Sequence, residues 1–346
     1  MDERDPVRAM DDGSRDLYDI ATWERRTPLD RLAAAIYRIL KLTFRATVVV
    51  VAFLILLGIG GLSALTDPQI GTLTALSAIP AFGLAFYVYY SDTTSGEPLA
   101  VLVATFLLGI LTANFAAVVN TLLGPLFDPF GFLGMVVMFF LVVGPVEETV
   151  KLLAVRLYAY GRPTFDCVID GAVYGAMAGL GFATVENSLF ITRQVGDLGM
   201  GVGVLELIGV GGGITAVRAL AGPGHVIYSA VAGYYLGLAK FNPENRGPII
   251  VKGLLIAAFI HATYNTTVGI GSSLIAGLLG VPPLVGFVSY VIVYDGVWGL
   301  YLLRKIRRYS ETFHRLDRGE DGDPNGTAEP VEVEAEVETG AETKTE

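Results

Sequence analysis

Long apolar runs separated by short polar breaks dominate the chain. They lie at about 44–65, 70–90, 99–123, 131–158 and 167–191, and again at about 222–241, 248–269 and 284–303. At 1.5 Å per residue each run is long enough to cross a hydrocarbon core ~30 Å thick. In lipid every backbone N–H and C=O must be satisfied within its own segment, so these runs predict helices. The expected fold is therefore all-α: a polytopic membrane helix bundle with about eight transmembrane helices. The stretch 200–220, MGVGVLELIGVGGGITAVRAL, leaves the number open. It is apolar but carries Glu206, Arg218 and three consecutive glycines, giving eight spans if it is re-entrant or interfacial and nine if it crosses.

Ahead of the first run, PLDRLAAAIYRILKL places Leu29, Leu32, Ile36, Ile39 and Leu40 at helical spacing, with Arg31, Arg38 and Lys41 between them. That pattern predicts a helix lying in the membrane interface. Residues 1–28 are polar, so residues 1–43 form a cytoplasmic arm plus interfacial helix, residues 44–303 the transmembrane domain, and residues 304–346 a disordered acidic tail. Arg25, Arg26, Arg38 and Lys41 precede the first span, and Arg304, Lys305, Arg307 and Arg308 follow the last. The positive-inside rule then puts both termini in the cytoplasm and requires an even number of spans. A multi-pass protein of the cell membrane, with the lipid bilayer as its surroundings, is the expectation. No pattern of basic start, apolar run and small-residue cleavage site occurs in the first forty residues, so insertion is expected to use the first membrane helix.

Composition sharpens this only in part. The 53% hydrophobic content exceeds the usual apolar share of a soluble domain. The formal net charge of −10 comes mostly from the tail, where residues 311–346 hold twelve acidic and three basic side chains. With no basic face beyond short juxtamembrane clusters, nothing points to a nucleic-acid partner. Cys167 is the single cysteine, which rules out an intramolecular disulfide and a CxxC metal site.

The informative residues are the polar ones inside the spans, because a charged side chain at the centre of a membrane helix costs about 2.5–3.5 kcal/mol on insertion scales. GPVEETVK carries Glu147, Glu148 and Lys151, which stand i,i+4 and i,i+3 on a helix. One carboxylate can pair with the ammonium while the other stays available as a base. Gly144 and Pro145 just upstream free a carbonyl and favour a kink. The next helix carries Asp170, Glu186 and Asn187; AGPGHVIY places His225 just inside a helix expected to start after Pro223, with Arg218 before it; FIHATYNTT puts His261 and Asn265 at i,i+4. Each of these alone has a plain structural reading: a snorkelling helix end, a solvated glutamate, a hydrogen-bonded core histidine, an interhelical polar pair. Together, on four helices, they supply a base for water, oxyanion donors and an acid for a leaving amine. No GxSxG, HExxH or cysteine beside a histidine competes.

The order EExxK (Glu147, Glu148, Lys151), FxxxEN (Phe182, Glu186, Asn187), RxxxxPxH (Arg218, Pro223, His225) and HxxxN (His261, Asn265) resembles the PrsW family of intramembrane proteases. It is more distantly similar to the CAAX prenyl endopeptidase and bacteriocin-immunity superfamily. The resemblance covers about residues 130–270. It implies an endopeptidase cleaving a membrane-associated protein by glutamate-activated water, without a cofactor. Glu147 and Glu148 become the base and its partner, His225 and His261 handle protons or orient substrate, and Asn265 donates to the oxyanion. Lys151, Glu186, Asn187 and Arg218 support them. Glu186 stands where the CAAX pattern has histidine, which leaves its role open.

Three other functions use the same residues. The glutamates and histidines could bind a divalent metal in a metal-dependent membrane hydrolase. They could form the relay of a proton-coupled transporter, although neither an inverted repeat nor paired broken helices is visible. A non-catalytic scaffold could keep the fold without the chemistry. One geometrical difficulty stands: with straight helices, Glu147 and Glu186 fall toward opposite ends of adjacent spans and do not meet.

Overall fold

The computed structural model describes Val7 and residues 13–59, 61–92, 96–198 and 213–318. Its long helices are α1 (Pro28–Gly58), α2 (Pro68–Tyr90), α3 (Leu99–Leu123), α4 (Gly131–Met138), α5 (Gly144–Leu157), α6 (Val168–Leu198), α7 (Ile214–Lys240), α8 (Arg246–Leu279) and α9 (Pro283–Asp317). Among the described residues there is no strand. A π-helical turn, Phe139–Val143, joins α4 to α5.

Local chemistry sets several of these boundaries. Thr27 and Asp30 form a reciprocal capping box at the start of α1: the Asp30 N–H donates to Thr27 Oγ1 at 3.2 Å, and the Thr27 N–H donates to the Asp30 carboxylate at 2.6 Å. Tyr18 and Trp23 also donate to Asp30, which folds the preceding arm onto the helix start. The Asp67 carboxylate accepts from the Gln69 and Ile70 N–H groups, with Pro68 at the first helical position of α2. Gly280, at φ +62°, ends α8 in the left-handed conformation that glycine adopts without strain, and Pro283 opens α9.

Among the described residues, seven helical stretches are long and apolar enough to cross a membrane: α1, α2, α3, the α4–α5 unit, α6, α8 and α9. The eighth expected span is α7, whose 27 residues reach about 40 Å. Arg218, His225 and Lys240 lower its hydropathy, and protein surrounds most of its second half. The stretch that separates eight spans from nine falls mostly on residues 199–212, outside the described residues, as does most of the tail expected over 304–346, whose first residues, 304–317, instead continue α9.

Three expectations change. The interfacial helix and the first span are one continuous helix, because no breaker interrupts residues 28–58. Helix α7 begins at Ile214 rather than after Pro223, so Pro223 lies inside it and His225 sits about three turns in. Arg218, expected ahead of this helix, is in its first turns. Helix α6 continues to Leu198, which moves Glu186 from a helix end to about 27 Å along a 31-residue helix.

Helices α6 and α7 form the centre, and glycine brings them together. A Cβ on Gly171, Gly175 or Gly179 would stand 2.2–2.4 Å from the carbonyl oxygen of Gly233, Ser229 or His225. The glycines of GAVYGAMAGLGF let two backbones touch, as small residues do between membrane helices. On its other side, Gly181 packs against the Phe106 carbonyl of α3 in the same way. Backbone cannot step aside as a side chain can, so Gly179→Leu should cost more than the ~1–3 kcal/mol of ordinary overpacking. The expected result is loss of the monodisperse folded species in detergent, read by size-exclusion chromatography, while Gly83→Leu, which faces open space, leaves it unchanged.

Candidate active site

The π-turn and the Gly144-Pro145 pair open α5, and Gly144 lies against the Ala258 carbonyl of α8, where a Cβ would come within 2.7 Å. This close approach sets the first turns of α5 beside His261. Together with the extension of α6, it removes the expected separation: Glu147 and Glu186 line the same cavity, of about 380 Å³, with Arg218, His225, His261 and Asn265. Glu148, Lys151 and Asn187 stand behind that wall, each fully buried.

Glu148 Oε1 accepts from Lys151 Nζ at 2.6 Å and lies 2.9 Å from His261 Nδ1. Lys151 Nζ is also 3.0 Å from His225 Nδ1 and 4.3 Å above the Phe182 ring. These partners define the tautomers. A carboxylate at His261 Nδ1 requires the proton there, and in the neutral ring His261 Nε2 then presents a lone pair. An ammonium at His225 Nδ1 requires a lone pair there, so His225 Nε2 carries hydrogen and donates to Glu186 Oε2 at 2.9 Å.

Glu186 is also ion-paired with Arg218. Asn187 holds that arginine, accepting from Arg218 Nε at 2.8 Å, and its own amide donates to Ser77 Oγ of α2 at 3.0 Å. Asn187 is thus a brace between α2, α6 and α7, set back from the cavity.

Glu147 differs from its neighbour. Its Oε1 accepts from Asn120 Nδ2 at 3.0 Å, while its Oε2 is buried without a hydrogen-bond partner. That oxygen lies 3.7 Å from His261 Nε2. Two acceptors facing each other across a cavity wall suit a water donating to both, or a cation. One ligand atom each from Glu147, His225 and His261 lies within 4.8 Å of the others. Two imidazoles and a carboxylate with an open position are a donor set suited to zinc. Glu147 Oε2 and His261 Nε2 already present lone pairs to it, whereas His225 would exchange one of its present partners.

Sequence reasoning missed Asn120 on α3 and Tyr228 on α7. Asn120 is one of two amides on a very apolar helix, and its place beside a glutamate on another helix has no signature in local spacing. Tyr228 lines the cavity three residues after His225, its ring 5.5 Å from that of His261, and its hydroxyl donates to Asp295 of α9 at 3.1 Å.

Residues 97–297 match the family described as PrsW family intramembrane metalloprotease, a longer stretch than the 130–270 expected from motifs, and one that takes in Asn120 and Asp295. Among curated proteins, the Protease PrsW of Geobacillus kaustophilus is 29% identical over 197 residues, covering 56% of this chain and 78% of that protein. The Protease PrsW of Clostridioides difficile is 29% identical over 193 residues, covering 55% and 76%. That of Bacillus subtilis is 29% identical over 188 residues, covering 54% and 78%. No solved structure matches the chain. A bundle of membrane-spanning helices around a buried Glu–His cavity, with a family match over more than half its length, makes this chain a multi-pass membrane protein and a member of the PrsW family of intramembrane proteases.

Proposed function

We propose that the protein hydrolyses a peptide bond of a membrane-associated protein with a water activated by Glu147. The observation that carries this is the unpartnered Glu147 Oε2 facing His261 Nε2 across 3.7 Å at the wall of the cavity. Glu147 takes the proton as the water oxygen attacks the carbonyl carbon. Asn265, on the same wall, donates to the oxygen that becomes negative, in the manner of an oxyanion hole. When the C–N bond breaks, Glu147 returns the proton to the leaving amine, which yields a carboxylate and an amine. Glu148 stays ionised against Lys151 and fixes the His261 tautomer. Arg218 and Asn187 hold Glu186, which fixes His225. On this reading Glu147 is the base and Glu148 the orienting carboxylate. Placement in the cell membrane with both termini cytoplasmic belongs to the same proposal, as does the more distant likeness to the CAAX superfamily, supported by the HxxxN pair.

A second reading is favoured by the three donor atoms of Glu147, His225 and His261. These residues would hold a divalent cation, which when bound supplies Lewis-acid activation of water. In that case Glu148 behind His261 Nδ1 matches the carboxylate that commonly orients a metal-bound imidazole. Elemental analysis of the purified protein, with cleavage measured before and after chelation, distinguishes the two. The glutamate-only mechanism predicts substoichiometric metal and chelator-insensitive cleavage. One metal per chain, lost in His261→Ala together with activity, would overturn it.

A further inference from the structure

A second cavity of about 230 Å³ adjoins the catalytic one, and the two share Ala117, Thr121, Leu189 and Arg193 as lining. The outer cavity reaches Ile59 at the C-terminal end of α1. Helix α1 is mostly exposed along its length, and its extensive packing is against α3 alone. The continuous space therefore runs from the catalytic residues, between α3 and α6, to the edge of the bundle under the end of α1.

The wall contributed by α6 is one helical face. Glu186, Leu189, Phe190 and Arg193, at i, i+3, i+4 and i+7, all line the catalytic cavity. Two turns separate Glu186 from Arg193, about 10 Å along the axis. Arg193 is exposed, rests near the Phe190 ring at 6.0 Å, and makes no ion pair among the residues whose side chains are described. Arg218, by contrast, is committed to Glu186 and Asn187. The junction of the two cavities thus presents the Arg193 guanidinium beside Ala117, Thr121 and Leu189.

We propose that the outer cavity holds the substrate chain next to the scissile bond in extended form, and that Arg193 selects an acidic side chain on it. An extended chain advances about 3.3 Å per residue. Glu186 adjoins the Glu147 site through His225, so the ~10 Å between the levels of Glu186 and Arg193 places that acid about three residues from the cleaved bond. This inference rests on the hydrolytic reading of the Glu147 site.

The test uses the full chain in membranes, compared with Glu147→Gln, to map termini that arise only with Glu147 intact. Peptides spanning a mapped site, with Glu, Gln or Lys at the third position, are then offered to purified wild type, Arg193→Glu, Arg193→Lys and Ala117→Trp. Asp or Glu should be enriched near the third residue on one side of the mapped sites. Arg193→Glu should cleave the Glu peptide at least tenfold less efficiently, mainly through KM, and prefer the Lys peptide; Arg193→Lys should keep most activity. Ala117→Trp, if it elutes as a folded monodisperse protein, should slow every peptide. Mapped sites without acidic enrichment, or an Arg193→Glu protein indifferent to the peptide's charge, would overturn the proposal while leaving the hydrolytic reading intact. Absence of any Glu147-dependent terminus would sink both.

Discussion

Glu147→Gln lowers peptide-bond cleavage by about 10²–10⁴-fold, the usual contribution of a positioned general base, and leaves the protein folded. Glutamine is isosteric, so its amide oxygen still accepts from Asn120 Nδ2. Its NH₂ then points toward the His261 Nε2 lone pair, which Glu147 Oε2 faces at 3.7 Å. The substitution replaces an acceptor–acceptor contact by a donor–acceptor one. The variant should therefore match or exceed wild type in thermal stability while losing kcat. Glu148→Gln should have the opposite effect on stability. Its oxygen has two partners to satisfy, Lys151 and His261, so loss of the charge weakens a buried ion pair and lowers stability along with activity. Unfolding in detergent and turnover of a mapped peptide separate the pair. If Glu147→Gln retained more than a tenth of wild-type turnover, Glu147 could not be the base.

Lys151→Met should be the most destabilising single change in the site. The ammonium is fully buried between Glu148 Oε1 and His225 Nδ1, with the Phe182 face over it. Removing it leaves the Glu148 carboxylate buried with His261 as its remaining partner, and losing one member of a buried pair typically costs ~3–5 kcal/mol. It also removes the donor that fixes the His225 tautomer, so activity falls with stability. Removing both charges, in Glu148→Leu with Lys151→Met, should recover much of the stability but none of the activity, because His261 Nδ1 then lacks its acceptor. A double-mutant cycle on unfolding free energy measures the coupling, expected at up to about 3 kcal/mol. A cycle with no coupling would mean that the two side chains do not act as a pair.

Much of this was legible in the chain because lipid imposes a simple rule on it. Apolar length marked the spans, and the cost of charge in hydrocarbon marked Glu147, Glu148, Lys151, Glu186, His225 and His261 as residues needing partners. Helix starts were less legible. Gly222-Pro223 reads as a break, yet α7 runs through it from Ile214, with Gly222 lying against Ala81 of α2, so tertiary packing overrides the local signal. The division of labour between two adjacent glutamates was illegible for a different reason. Neighbours on a helix point about 100° apart, and which of them meets a cavity depends on the angle at which α5 enters the bundle. That angle comes from the π-turn and from Gly144 against α8, neither of which is a property of EExxK. Asn120 was hidden because its partner lies 27 positions away on another helix.

The glycine seam between α6 and α7 also divides the protein mechanically. Where backbone meets backbone, no rotamer change can make room, and the two helices move as one piece. That piece carries Glu186, Arg218 and His225, and it is expected to behave as a stator. The work of admitting a substrate and releasing two products then falls to the periphery, above all to α1, which has little to detach from. Hydrogen exchange should divide along the same line, with α6 and α7 protected to the limit of global unfolding and the end of α1 exchanging through small local openings. Catalytic precision and substrate access would then be separate properties of separate helices, so that turnover could be tuned at the rim without disturbing the geometry at Glu147.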